Sequence, residues 1–377
     1  MDGPEGRAIG LAESPPRYRV VADSLRARIR QGEWPVSGLL PNETDLCGAY
    51  GVSRSTVREA MRTLQAEGLV SRRRGAGTVV TVPAGASRAF VGLVVAHLDD
   101  ARLAGTLQGL HAGLAAAGVR LELRATGDEP AAEAEAVRGL REEGAVGVIL
   151  EPLPGAPSRS LLRGLRAEGF PLVFLDRYDP ELDVPYAVAD NHQGALELSR
   201  HLLACGHRRI AVLLPRSYPL TSVVDRVDGY RQALREAGIE PDPSLQVRPA
   251  GALLDPLHEA LRAAVNGLMA RPQPPTAILC ANDEIASWTM ALLKETGVRV
   301  PGDCSLAGFD DMDYAARLDP PLTTVRQPLH AIGEAAAACL RAQLEGRPAM
   351  PAVVPTHLVV RQSTGRVSAR AVAEREG

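Results

Sequence analysis

A chain of 377 residues is long enough for two or three domains, and 45 % hydrophobic residues can bury a substantial core. It has no apolar run of the roughly 18 residues that a membrane-spanning helix needs. The net charge of −3 hides an asymmetry: residues 17–82 carry 11 Arg against 6 acids, so the remainder is acidic, and only the first part is suited to a polyanion.

Residues 1–16 are acidic and rich in Gly and Pro, which reads as a disordered tail rather than a signal peptide, and implies a cytoplasmic protein. Cys47, Cys205, Cys280, Cys304 and Cys339 are scattered and never form a CxxC pair, so neither a metal site nor a disulfide framework is expected. Arg outnumbers Lys 41 to one, a skew that reads as coding bias.

Tyr18 to Arg30 has apolar residues at spacings of four (Val21, Leu25, Ile29) and reads as an amphipathic helix. Asn42 is placed to cap a second helix that ends at Gly51. A third runs from Ser53 to Glu67, with Val57, Met61 and Leu64 on one face and hydroxyls and Arg on the other. That pattern fits a helix lying in a DNA major groove, and equally an N-capped surface helix. Leu69 to Ser71 and Thr78 to Val82 flank a Gly-rich turn, giving three helices and a β-wing.

Residues 83–89 form a small-residue linker. Beyond it, strand and helix patterns alternate: strands near 90–96, 119–125, 146–151 and 171–176, with helices between them. A second round of the same alternation starts near Asp190, with strands at 210–214, 277–281 and 305–309. Such alternation predicts parallel sheets, here in two α/β lobes with a ligand cleft at the strands' carboxyl ends. Lobe 1 is expected at 90–189 and 326–355, lobe 2 at 190–325 and 356–365, and 366–377 as a tail.

Residues 17–82 resemble the winged helix of the GntR family of bacterial transcription regulators. The resemblance rests on Leu40-Pro41-Asn42-Glu43, Gly51-Val52-Ser53-Arg54-Ser55-Thr56-Val57-Arg58-Glu59-Ala60, Leu64 to Val70, and Arg74-Gly75-Ala76-Gly77-Thr78. It implies that Ser53, Arg54, Ser55, Thr56 and Arg58 contact bases and phosphates, and that the wing at Gly75 and Gly77 approaches a minor groove. Thr44 stands where many members carry a DNA-contacting Arg, so one charge contact is replaced by a hydroxyl.

Residues 90–365 resemble the effector domain of the lactose/galactose-repressor family, which shares the periplasmic sugar-binding fold. The matching residues include Gly127-Asp128-Glu129, Asp176-Arg177, Ala189-Asp190-Asn191, Gly206-His207-Arg208-Arg209, Ala281-Asn282-Asp283 and Gly308-Phe309-Asp310-Asp311. A GntR-type head on this body is similar to the arabinose-repressor subgroup. The resemblance implies effector contacts at Asp99, Arg102, Arg177, Asp190, Arg226, Asn282, Asp310 and Gln327. Arg177 fits either a ligand contact or a tie between lobes, and His97 could face the cleft. Arg102, facing the cleft, would favour an acidic ligand such as a sugar acid. Ring stacking would fall to Tyr178, Tyr218, Trp288, Phe309 or Tyr314.

The expected protein is a homodimeric repressor that binds a palindromic double-stranded operator and responds to a sugar-like effector, with no cofactor, metal or catalytic residue. A sugar-sensing protein or an activator without repressor activity is the alternative. An enzyme body of the pyridoxal-phosphate aminotransferase type needs a Schiff-base Lys, and Lys294 alone is available, inside a helix pattern.

Overall fold

The computed structural model describes residues 16–30, 33–34, 38–73, 77–81, 89–115, 118–154, 156–215, 220–249 and 256–367. The chain divides into two units, Met1–Arg88 and Ala89–Gly377. The tail before residue 16, most of the linker, the wing tip with Gly75, Tyr218 and residues 368–377 lie outside the described residues.

In the first unit, α1 (Arg17–Arg30), α2 (Glu43–Tyr50) and α3 (Arg54–Ala66) precede β1 (Val70–Arg73) and β2 (Gly77–Val80). Asn42 caps α2 by accepting from Thr44 N and Asp45 N, and Gly51 ends it at φ 62°, a left-handed conformation that glycine adopts without strain. Ser53 caps α3 through Thr56 N. Val21, Leu25, Leu46, Val57, Ala60, Met61 and Leu64 bury the facing stripes of the three helices in one core. The two strands pair antiparallel, from Val70↔Val80 to Arg73↔Gly77.

The second unit begins with β3 (Phe90–Val95), α4 (Leu103–Ala115), β4 (Arg120–Ala125), α5 (Pro130–Glu142), β5 (Gly147–Leu150), α6 (Ala156–Ala167), β6 (Leu172–Leu175) and β7 (Tyr186–Ala189). It continues with α7 (Asn191–Ala204), β8 (Ile210–Leu213), α8 (Thr221–Glu236), β9 (Gln246–Val247), α9 (Pro256–Met269), β10 (Ala277–Cys280), α10 (Asp283–Glu295) and β11 (Ser305–Ala307). Then come β12 (Thr324–Arg326), α11 (Leu329–Leu344), β13 (Ala352–Val354) and β14 (His357–Val359).

Lobe 1 is a sheet in the order β13-β7-β6-β5-β3-β4, and lobe 2 a sheet in the order β11-β10-β8-β9; every pairing in both is parallel. Strands buried on both faces read as continuous apolar runs, as in Gly147–Leu150 and Leu172–Leu175. The chain passes between lobes three times: at Asp190, after β12, and after β13. Asp190 N donates to Val354 O, and Thr356 Oγ1 donates to the Asp190 carbonyl at 3.2 Å. A Cβ on Gly194 would stand 2.6 Å from Thr356 Oγ1 and 2.9 Å from Val325 Cγ1, so the crossovers converge where there is no room for a side chain.

Candidate functional site

The start of α3 presents its polar groups outward. Ser53, Arg54, Ser55 and Arg58 are exposed and Thr56 is half-buried, while Val57 and Ala60 face the core. Ser53 Oγ lies 2.8 Å from Ser55 Oγ and 2.9 Å from Thr56 Oγ1, a compact hydroxyl cluster beside the free N–H groups of the helix start. Arg54 Nη2 donates to Thr44 Oγ1 at 3.3 Å, and Arg58 Nε to Glu43 Oε2 at 3.0 Å. Thr44 therefore orients Arg54. Gly77 is exposed at φ 103° at the foot of the wing.

In the second unit a cavity of about 440 Å³ opens at the carboxyl ends of both sheets. Successive strand ends of lobe 1 supply its wall. After β3 come His97, Asp100 and Arg102; after β4, Asp128; after β5, Glu151; after β6, Asp176 and Arg177. Lobe 2 supplies Ser222 and Arg226 from α8, Asn282 and Glu284 at the start of α10, and Asp310 beyond β11. Glu133, buried on α5, accepts from Leu153 N at 2.8 Å and from the Ser158 hydroxyl, which fixes the Leu153-Pro154 part of the rim.

Of the eight effector residues expected from sequence, Arg102, Arg177, Arg226, Asn282 and Asp310 line this cavity. Asp99, Asp190 and Gln327 do not. Asp99 is exposed, and its neighbour Asp100 turns inward because its carboxylate is gripped by Arg102. Asp190 accepts from Gln193 N as the cap of α7. Gln327 is buried behind Asp310 and donates to its Oδ1 at 2.6 Å.

Charge pairing organises the wall. Arg102 gives Nη1 to Asp176 at 2.7 Å and Nη2 to Asp100 at 2.6 Å. Burial disfavours its charge, but these two carboxylates hold the guanidinium well above its usual value. Arg102 faces the cleft but spends its donors on those acids, which removes the argument for a sugar acid. Arg177 binds Glu151 at 3.1 Å within the same lobe, so it is no tie between lobes. Its neighbour makes that link: Thr221 Oγ1 donates to Tyr178 O at 2.8 Å and lies 2.9 Å from Tyr178 N.

Arg226 donates to Asn191 Oδ1 at 2.8 Å and to the Ala281 carbonyl, sits 3.5 Å from Asp310 Oδ1, and stacks 3.8 Å above the Phe309 ring. Burial lowers its pKa from the usual value. Burial likewise raises Asp310 against the pull of Arg226, and Glu151 against that of Arg177. Asn282 caps α10 through Ile285 N. Asp283, next to it, turns inward and joins Thr324 Oγ1 at 2.6 Å and Met312 N at 2.8 Å.

No aromatic side chain lines the cavity among the described residues. Tyr178 stacks on Tyr186, Phe309 is buried under Arg226, and Trp288 is partly exposed on α10. No cluster of three or more His, Cys, Asp or Glu able to hold a metal ion occurs among the described residues, and no described helix is long and apolar enough to cross a membrane.

Residues 17–80 match the model of bacterial regulatory proteins of the gntR family, and residues 199–364 match a periplasmic binding protein-like domain. The chain is 28 % identical to the arabinose metabolism transcriptional repressor of Geobacillus stearothermophilus, over 93 % of this chain and 98 % of that protein. It is 31 % identical to the transcriptional regulator DegA of Bacillus subtilis, over 66 % of this chain and 72 % of that one. Among solved structures, a complex of the transcriptional regulator CelR with cellobiose matches with a TM-score of 0.64 at 27 % identity, over 93 % of this chain and 100 % of that one. A GntR-type head and a periplasmic binding protein-like domain are thus found here in one chain that is similar along most of its length to transcription regulators. The chain belongs to the DNA-binding transcription regulators that join a GntR-type head to a periplasmic-binding-protein-like domain.

Proposed function

We propose that the protein is a cytoplasmic repressor whose operator affinity is set by a small sugar-like molecule held between the two lobes. The observation that carries this is the 440 Å³ cavity, walled by Arg102, Arg177, Arg226, Asn282 and Asp310 at the strand ends of both lobes. Relatives named for arabinose metabolism and for a cellobiose complex support a carbohydrate-type ligand. A ligand that touches both walls has greater affinity for the closed arrangement, and that difference is all that can shift the equilibrium. Gln327 and Asp190 then act behind the contacts, at the crossovers about which the lobes turn.

In the head, Arg54 and Arg58 read bases or phosphates, and Ser53, Ser55 and Thr56 bind phosphate beside the helix start. Gly77, with Gly75 outside the described residues, brings the wing backbone close to the groove. A homodimer presents two heads to the half-sites of a palindrome, and no reaction is catalysed. The test is a mobility-shift titration of the full chain on DNA upstream of its own gene, at about 0.1 M salt because affinity depends steeply on ionic strength. A shift that one sugar of a screened set reverses is expected. Absence of any sequence-dependent shift overturns the reading.

A further inference from the structure

Among the described residues, the cavity lining carries more carboxylates than guanidiniums on both sides. Lobe 1 sets Asp100, Asp128, Glu151 and Asp176 against Arg102 and Arg177. Lobe 2 sets Glu284 and Asp310 against Arg226. The described lining therefore holds six carboxylates and three guanidiniums, with histidine neutral. Closing the lobes brings two net-negative walls together, which a neutral ligand does nothing to relieve and an anion makes worse.

The guanidiniums are not spare cations for an acid. Arg102 is bound by two carboxylates, and Arg226 by Asn191, the Ala281 carbonyl and the Phe309 ring. Arg177 is different. It is 7 % exposed, and its Nε is buried with no hydrogen-bond partner among the described atoms. A buried donor without an acceptor is costly, and the nearest carboxylate, Asp176 Oδ2 at 3.9 Å, is too far for a hydrogen bond; Arg177 itself lines the cavity, so a small turn of its side chain would let a hydroxyl or carbonyl oxygen of a ligand accept from this nitrogen. The wall thus asks for two things at once: a positive charge among carboxylates and an oxygen acceptor beside Arg177.

We propose that the cleft selects a polyhydroxylated amine, such as an amino sugar or a related amino polyol, over a neutral sugar or a sugar acid. The ammonium sits among the strand-end carboxylates, its charge relieves the repulsion between walls, and closure is thereby coupled to the ligand's cation. The proposal rests on the reading that this cleft holds the effector.

The test is calorimetry and thermal shift of the full chain with two matched triplets: glucosamine, glucose and gluconate, and galactosamine, galactose and galactonate. In at least one triplet the amine is expected to bind about three- to tenfold tighter than its neutral parent, and the acid weakest. Asp128 and Glu284 are rim residues that tolerate change, so the double variant Asp128→Asn, Glu284→Gln is expected to keep its fold and narrow the amine-to-neutral ratio. A neutral sugar or acid that binds as tightly as the amine overturns the proposal, as does an amine preference untouched by the rim variant, or the absence of amine binding at millimolar concentration. If a neutral sugar binds as tightly as its amine and Arg226→Ala abolishes both, the charge preference falls and the cleft stands. If binding ignores Arg226→Ala and the rim variant alike, the cleft reading falls.

Discussion

Arg54 and Arg226 are alike in geometry though they lie in different units: each is a guanidinium oriented by a neighbouring oxygen, Thr44 Oγ1 at 3.3 Å for the first and Asn191 Oδ1 at 2.8 Å for the second. Arg54→Ala is expected to weaken operator binding by about 10- to 100-fold, the worth of one good base contact, and to leave ligand-induced thermal stabilisation intact. Arg226→Ala is expected to leave DNA bound but unresponsive; release with normal ligand sensitivity would remove Arg226 from the site. Mobility shift and thermal shift on the two variants separate these outcomes. Residues of this kind were partly legible in the sequence. An Arg beside hydroxyls at a helix start announces itself. A loop has no period, so nothing in Leu98-Asp99-Asp100 says which acid turns inward; a contact to Arg102 decides it. Asp128, Glu151 and Asp176 carried a usable signal that was not assigned to the ligand, because each follows a strand on a sheet whose carboxyl ends form the cavity.

At the scale of elements, the alternation of strands and helices was readable wherever apolar runs were long, as in β3, β5, β6, β8 and β10. No sequence pattern marks β7, β12, β13, β14 or α11. The strands are three or four residues long, too short for a period to show. The start of α8, Thr221-Ser222-Val223-Val224, is β-branched and polar, so its helical state is set by packing on α7. In α11 the run Ala335 to Ala338 flattens the contrast between faces. Its small residues have a use: a Cβ on Gly333 would meet Thr106 O at 2.2 Å, and one on Gly109 would meet His330 O at 1.9 Å, so α4 and α11 touch backbone to backbone. Gly333→Ala is therefore expected to cost about 1–3 kcal/mol by overpacking. Gly164→Ala, in an exposed turn of α6 with nothing within 4 Å of the new Cβ, is expected to gain up to about 1 kcal/mol. Chemical denaturation of the two variants reads the contrast, and equal effects would mean that the α4–α11 contact is looser than the backbone distances imply.

For the molecule as a whole, one buried acid ties cleft to crossover. Asp283 follows the cleft residue Asn282, and its carboxyl holds Thr324 at the base of β12. Burial pushes its pKa from 3.8 to about 7. Between those values the folded chain keeps a proton that the unfolded chain has lost, so Asp283 makes stability fall as pH rises through that window. Melting temperature measured across it is expected to decline less steeply in Asp283→Asn; an unchanged slope would assign the dependence to other groups. The threefold crossing at Asp190, Val325 and Thr356 has a consequence for how the chain is made. Lobe 1 needs α11 and its edge strand β13, which leave the ribosome only after nearly all of lobe 2. Lobe 2 in turn waits for β14, which pairs with β12 within the last twenty residues of the described chain. The head can fold as soon as it emerges, whereas a cleft with both walls complete belongs only to a finished polypeptide. A nascent or shortened chain would therefore carry a DNA-binding head with no means of being told to let go.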